Sequence, residues 1–272
     1  MTESGAEGAY MEFKTIKYSV NGAVATLALN RPERLNALNA TVHAEIRDAL
    51  SAVEGNPAIR CLVVTGEGRA FCSGQDLTER AMSETNKVDV GSSLDRDYNP
   101  LVRRLVSFPI PTIAAVNGPA VGAGANLALA CDILLFARAA YLQEAFARIG
   151  LVPDAGGTWL LPRIVGLKRA IAMCLTAEQV PAEECQRIGI AYKVFEDANF
   201  QSDVAKAAAL LAMGPTFAYR LMKEALHASF TNDLSAQLDL EARLQKQAGQ
   251  SQDFREGVKS FLEKRLPRYE GR

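Results

Sequence analysis

Residues 112–126 read Thr112-Ile113-Ala114-Ala115-Val116-Asn117-Gly118-Pro119-Ala120-Val121-Gly122-Ala123-Gly124-Ala125-Asn126. A short apolar run, a turn of Asn, Gly and Pro, and then small residues make the pattern strand, turn, helix. No charged residue occurs from Leu105 to Cys131, a span long enough to imitate a membrane helix. Pro109, Pro111, Pro119, Gly118, Gly122 and Gly124 interrupt it, and a proline both removes a helix N–H and collides with the preceding turn. The stretch reads as a buried strand, a loop and a buried helix of a soluble protein, with no membrane as partner.

The same alternation extends towards the N-terminus. Phe13–Val20 and Val24–Leu29 flank Asn21-Gly22, which predicts a type I′ hairpin. Thr41–Val53 has the spacing of an amphipathic helix stopped near Asn56-Pro57, and Cys61–Thr65 is a short apolar run suited to a strand covered on both faces. Residues 79–96 are polar and aperiodic, the pattern of a mobile surface segment. Tyr98–Val106 and Ala123–Ala130 read as helices, and Ile133–Phe136 and the region of Tyr141 as strands. This is an α/β fold with right-handed crossovers over residues 1–199. Residues 200–272 form a helical C-terminal region, with breaks at Gly214-Pro215 and around Asn232, that covers the core or reaches a neighbouring subunit.

Composition excludes several functions. The 272 residues carry 30 Lys+Arg against 31 Asp+Glu, and a net charge of −1 lacks the basic excess that phosphate neutralisation needs, so nucleic acid is not the partner. Cys61, Cys72, Cys131, Cys174 and Cys185 are odd in number and lack C-x-x-C spacing, so no disulfide framework or zinc cluster is expected, and a reducing cytoplasm is the natural setting. Met1–Tyr10 has no apolar core of a secretory signal.

Three segments can carry chemistry. Phe71-Cys72-Ser73-Gly74-Gln75-Asp76 is a tight loop after a strand, where backbone N–H groups can face a crevice, but Phe71 stands where a nucleophile elbow needs Gly. His43 and His227 both sit in helical patterns as solvated or satisfied residues, and nothing adjacent activates Cys72. The Asn117–Asn126 turn fails the dinucleotide fingerprint, since Leu127 occupies the third small position. Its helix start suits either a developing oxyanion or simple close packing, and both readings stay open. Asp154, in Leu151-Val152-Pro153-Asp154-Ala155-Gly156-Gly157-Thr158, reads as a helix N-cap or as a carboxylate acid/base.

Together with Arg31-Pro32 and Asn36-Ala37-Leu38, these segments occur in the order and spacing of the enoyl-CoA hydratase/isomerase (crotonase) superfamily, and the resemblance runs to Phe261-Leu262-Glu263-Lys264-Arg265. It implies a ββα-repeat spiral core with a helical C-terminal region, assembly as a homotrimer or dimer of trimers, and an acyl-CoA thioester substrate. No metal or redox cofactor is implied, because CoA enters as part of the substrate. By position, the backbone N–H groups of Ser73 and Ala123 would form an oxyanion hole for the thioester carbonyl. Arg34, Ala37, Ala70, Gly74, Gln75, Asp76, Leu77, Gly122, Gly124 and Phe146 would line the CoA and acyl channel. Phe261 and Lys264 resemble CoA contacts contributed by a neighbouring subunit.

The departures matter as much. Family hydratases use two glutamates, and the matching positions hold Asn126 and Phe146, neither of which ionises. Glu144 is two residues out of register. Asp154 is the acid left at a family site position, which resembles the isomerase branches. One carboxylate suffices for isomerisation, since a proton removed at one carbon can return at another. The resemblance turns the balance at Asp154 from cap to base. A hydratase with another water-activating arrangement, and a non-catalytic acyl-CoA binder, are the competing readings.

Overall fold

The structure is a computed structural model that describes residues 12–78 and 90–272. β1 (Ile16–Asn21) and β2 (Val24–Leu29) form an antiparallel hairpin closed by Gly22 and Ala23. Of these two, only Gly22 has positive φ, at 58°. The turn is therefore not the type I′ expected from Asn21-Gly22, which needs positive φ at both central residues. Asn21 stays in the ladder opposite Val24, and the glycine takes the first central place.

β3 (Cys61–Gly66), β4 (Thr112–Val116), β5 (Ala120–Val121), β6 (Ile133–Ala137), β7 (Tyr141–Gln143), β8 (Val180–Pro181) and β9 (Lys193–Phe195) follow. They divide between two sheets. A long one runs β1-β2-β3-β4-β6-β9, parallel from β2 onwards, and a short one runs β5-β7-β8. Leu38 bridges Gln75, and Cys72 bridges Ala120, so the earlier turns of chain also touch the second layer. Each turn lays one strand in the long sheet and a short extended piece in the layer beside it, which is the ββα-repeat spiral. β3 and β4 are buried along nearly their whole length, as their unbroken apolar runs require.

Helices cover the sheets. α1 (Ala40–Glu54) is capped by Asn39, whose Oδ1 accepts from the Val42 N–H at 3.0 Å. Residues 79–89 of the segment read as aperiodic lie outside the described residues. From Val90 the chain is helical, passing through one π-type turn (Leu94–Tyr98) into α2 (Asn99–Val106), which corrects the aperiodic reading there. Local pattern misses this because long-range contacts hold it: Tyr98 is buried against His43 of α1, and Asp97 pairs with Arg96 and Arg47. α3 (Ala123–Leu129), α4 (Gly157–Val165), α5 (Leu167–Thr176) and α6 (Ala182–Arg187) complete the core region.

The C-terminal helices are α7 (Phe200–Ala212), α8 (Thr216–Ala228), α9 (Leu234–Gly249) and α10 (Gln252–Leu262). Both breaks read from sequence are present. A third, before α10, is made by Ser251, whose Oγ accepts from the Phe254 N–H at 3.0 Å. α7 buries Phe200, Val204, Ala208 and Ala212 in the main core. α8 is tied to that core by Lys223, whose Nζ donates to Asp132 Oδ2 and to the Phe108 carbonyl, both at 2.8 Å. Among the described residues no helix is long and apolar enough to cross a membrane.

Candidate active site

The loop from Ala70 to Leu77 is fastened to the loop from Arg31 to Leu38. Asn36 Nδ2 donates to the Ala70 carbonyl at 2.7 Å, and Ser73 Oγ donates to the Arg34 carbonyl at 3.3 Å. Arg31 donates to the Ala37 carbonyl at 2.7 Å and pairs with Asp76 at 2.8 Å. Gln75 Oε1 accepts from the Tyr98 hydroxyl at 2.6 Å. The structure thus brings together Arg34, Ala37, Ala70, Ser73, Gly74, Gln75 and Asp76, with Leu77 exposed at the rim. Asp76, expected from its position to line the channel, spends its carboxyl on Arg31 and Thr78. Hydrogen bonds from Thr78, and then the Arg31 guanidinium, hold its carboxyl below the usual carboxylate range, and it fastens the loop.

This loop presses directly on the start of α3. Gly74 has φ 92°, and a Cβ there would meet the Val121 carbonyl at 2.9 Å and the Ala123 nitrogen at 3.4 Å. A Cβ on Gly124 would run into the backbone of Cys72. Only glycine permits this approach. The Ser73 N–H, expected as an oxyanion donor, is already spent on the Leu35 carbonyl at 2.9 Å. Gln75 supplies the available donor instead. In its bridge with Leu38, the Leu38 N–H donates to the Gly74 carbonyl and the Asp76 N–H to the Leu38 carbonyl, so the Gln75 N–H points away from that partner. It has no acceptor among the described residues. Nor has the Ala123 N–H, which opens α3 behind Gly122 and is left over by the helix geometry.

One turn along α3, Asn126 joins two carboxyl residues. Its Nδ2 donates to the Asp154 carbonyl at 2.8 Å and lies 3.5 Å from Glu144 Oε2. Asp154 is half-buried and is not a helix cap. α4 begins at Gly157 with Gly156 in the cap position and no side-chain cap bond, while the Asp154 carbonyl accepts from the Gly157 N–H at 2.9 Å. Between them Ala155 is held at φ 48°, a left-handed conformation that costs about 1–3 kcal/mol outside glycine. Glu144 follows β7 on the inward face that it shares with Leu142. It is 1 % exposed, and burial pushes its carboxyl up to about 7, with the Asp154 charge adding to the rise and the Asn126 amide opposing it.

Residues 19–272 match the family model described as enoyl-CoA hydratase/isomerase. The chain belongs to this family. It is an acyl-CoA hydratase/isomerase of the crotonase superfamily. A Rhodobacter capsulatus protein named "Probable enoyl-CoA hydratase" is 50% identical over 96% of this chain and 100% of its own. The 1,2-epoxyphenylacetyl-CoA isomerase of Escherichia coli is 48% identical over 96% of this chain and 100% of its own. The crystal structure of an enoyl-CoA hydratase from Bacillus anthracis is 31% identical, with a TM-score of 0.90 over 95% of this chain and 100% of that one.

Other residues of this hydratase/isomerase fall into place around that geometry. Phe146 is buried with its ring against Gly122, so it walls the site next to Ala123. Phe261 is 83 % exposed on α10, and among the described residues neither it nor Lys264 hydrogen-bonds to the site loops. Burial pushes the Cys72 thiol up to about 12, which leaves it inert. His43 differs from expectation: it is 2 % exposed, and among the described residues neither ring nitrogen has a hydrogen-bond partner. It packs edge-on against Tyr98 at 4.3 Å, and burial lowers its pKa to about 4, so the ring is neutral. Two groups that the geometry brings to the candidate site were undervalued in the sequence, Gln75 and Glu144. For Glu144 the period-two alternation from Leu142 was the signal available.

Proposed function

We propose that this enzyme isomerises unsaturated acyl-CoA thioesters through a thioester enolate, with 1,2-epoxyphenylacetyl-CoA and β,γ-unsaturated acyl-CoA as its substrate class. The observation that carries the reading is the pair of unengaged N–H groups, Gln75 and Ala123, beside a carboxylate that is not spent as a cap. Removing a proton next to the thioester puts charge on its oxygen, and two fixed donors there stabilise the transition state by roughly 3–4 kcal/mol each. Asp154 takes that proton and returns it at another carbon. Proton transfer of this kind needs no metal or redox cofactor. Phe146 and Asn126, lacking charge at the two positions that hydratases fill with glutamate, favour isomerisation over hydration.

The exposed apolar residues of the C-terminal helices, among them Met222, Leu226, Leu234 and Leu238, support assembly as a homotrimer or dimer of trimers, with Phe261 and Lys264 reaching CoA in a neighbouring subunit. The setting proposed is the cytoplasm. The test is isomerisation of a β,γ-unsaturated acyl-CoA in deuterated water, wild type beside Asp154→Asn. Deuterium uptake and double-bond migration should fall by about 10²–10⁴-fold in the variant with thioester affinity kept. Full activity in Asp154→Asn removes the base assignment, and net water addition makes the enzyme a hydratase.

A further inference from the structure

The Glu144 carboxyl and the Asn126 amide meet in the interior with more acceptors than donors among the described residues. Glu144 Oε1 and Asn126 Oδ1 are both buried and without a hydrogen-bond partner among the described residues. The Asn126 Nδ2 is already shared between the Asp154 carbonyl at 2.8 Å and Glu144 Oε2 at 3.5 Å. Gly157 packs so closely on the Asn126 amide that a Cβ there would overlap it. A buried acceptor without a donor costs about 1–3 kcal/mol. One proton on Glu144 converts a surplus acceptor into a donor.

We infer that Glu144 and Asp154 act as one coupled pair, with Asn126 tying the Glu144 carboxyl to the main-chain carbonyl of Asp154, in which Glu144 holds a proton so that the single negative charge stands on Asp154. This rests on the reading of Asp154 as the base. The pair carries −1 before turnover; when Asp154 accepts the substrate proton it becomes neutral and the charge moves to the thioester oxygen. Glu144 acts through Asp154 and is a positioning residue. Among the described residues no cationic side chain offsets it: the ionisable groups facing Glu144 are Asp154, from the loop before α4, and Cys174 of α5. Arg148, in the one-turn helix Ala145–Ile149 that follows Glu144, donates away to the Ala177 carbonyl at 3.0 Å.

The charge-free variant Glu144→Gln keeps the shape and tests the pair in two ways. A carboxyl whose folded pKa is raised binds a proton that the unfolded chain releases, so it lowers stability as pH climbs from the ordinary carboxylate range to about 7. Glu144→Gln should match wild type in Tm near pH 4.5, exceed it increasingly up to about pH 7, and then run parallel. In an Asp154→Asn background the same comparison should give a smaller gap that opens over a lower pH range, because the like charge is gone. A Tm gap independent of pH overturns the inference, and so does a gap unchanged by Asp154→Asn. In turnover, wild-type kcat/KM should show an inflection near pH 7 that Glu144→Gln lacks; an inflection kept in the variant overturns it. If Asp154→Asn turns over normally, the base assignment fails, while the Tm comparison still decides the pair.

Discussion

The thin second layer, from Leu38 through Cys72–Gln75 and Ala120–Ala123 to Glu144, differs sharply from the helices after Met213. In the layer, backbone groups are closed by partners distant in sequence, and what is left over among the described residues is two backbone N–H groups, an amide oxygen and a carboxyl oxygen. In the helices polar groups face solvent, and what is left over is apolar: Leu226 is 67 % exposed and Leu234 74 %. Unsatisfied polar groups in a closed place point to chemistry, and unsatisfied apolar groups on a surface point to association.

The largest effect that would break this contrast lies at Ala123. Ala123→Pro removes one N–H while occupying the first helical position, where proline is tolerated. kcat should fall about 10²–10³-fold, with thioester affinity little changed by calorimetry; unaltered kcat would mean that the donor has no role.

His43 gives an acid signature to the same region. Its folded pKa is about 4 against 6.5 in an unfolded chain, so the unfolded state takes up the proton first. The stability is complete above 6.5 and drains away as pH falls towards 4, on the order of 3 kcal/mol. His43→Leu should flatten the Tm decline in that window, and an equally steep decline would show that the imidazole is protonated in the fold. Packing comes next: Gly124→Ala, with its methyl driven into Cys72, should lower stability by about 1–3 kcal/mol in a denaturant melt. At the other region, Leu226→Asp with Leu234→Asp should change the stability of a single folded chain by no more than about 0.5 kcal/mol. Light scattering should nevertheless show a smaller assembly, and an unchanged mass would take this face out of the interface.

Much of the fold was legible in the sequence. The strands Cys61–Gly66 and Thr112–Val116 and the helix from Ala40 announce themselves by period and by turn residues, because those signals come from neighbours a few positions away. The helix leading into Tyr98 was not, since the contact with His43 that anchors it lies far back in the chain.

What the sequence determined alone was the order of elements, the helical C-terminal region, the three loops that meet at the site and the acid at position 154. Only the tertiary structure decided which groups in those loops are free. Ser73 loses its N–H to Leu35, Asp76 keeps its charge but spends it on Arg31 and Thr78, and Gln75 keeps its donor because Leu38 bonds on the other side. Asp154 escapes a capping role because Gly156 takes the cap position, and Glu144 enters the site because α3 and the Asp154 loop close over it. The reason is physical: residue type says what a group can do, whereas its availability and its proton affinity depend on partners that only folding delivers.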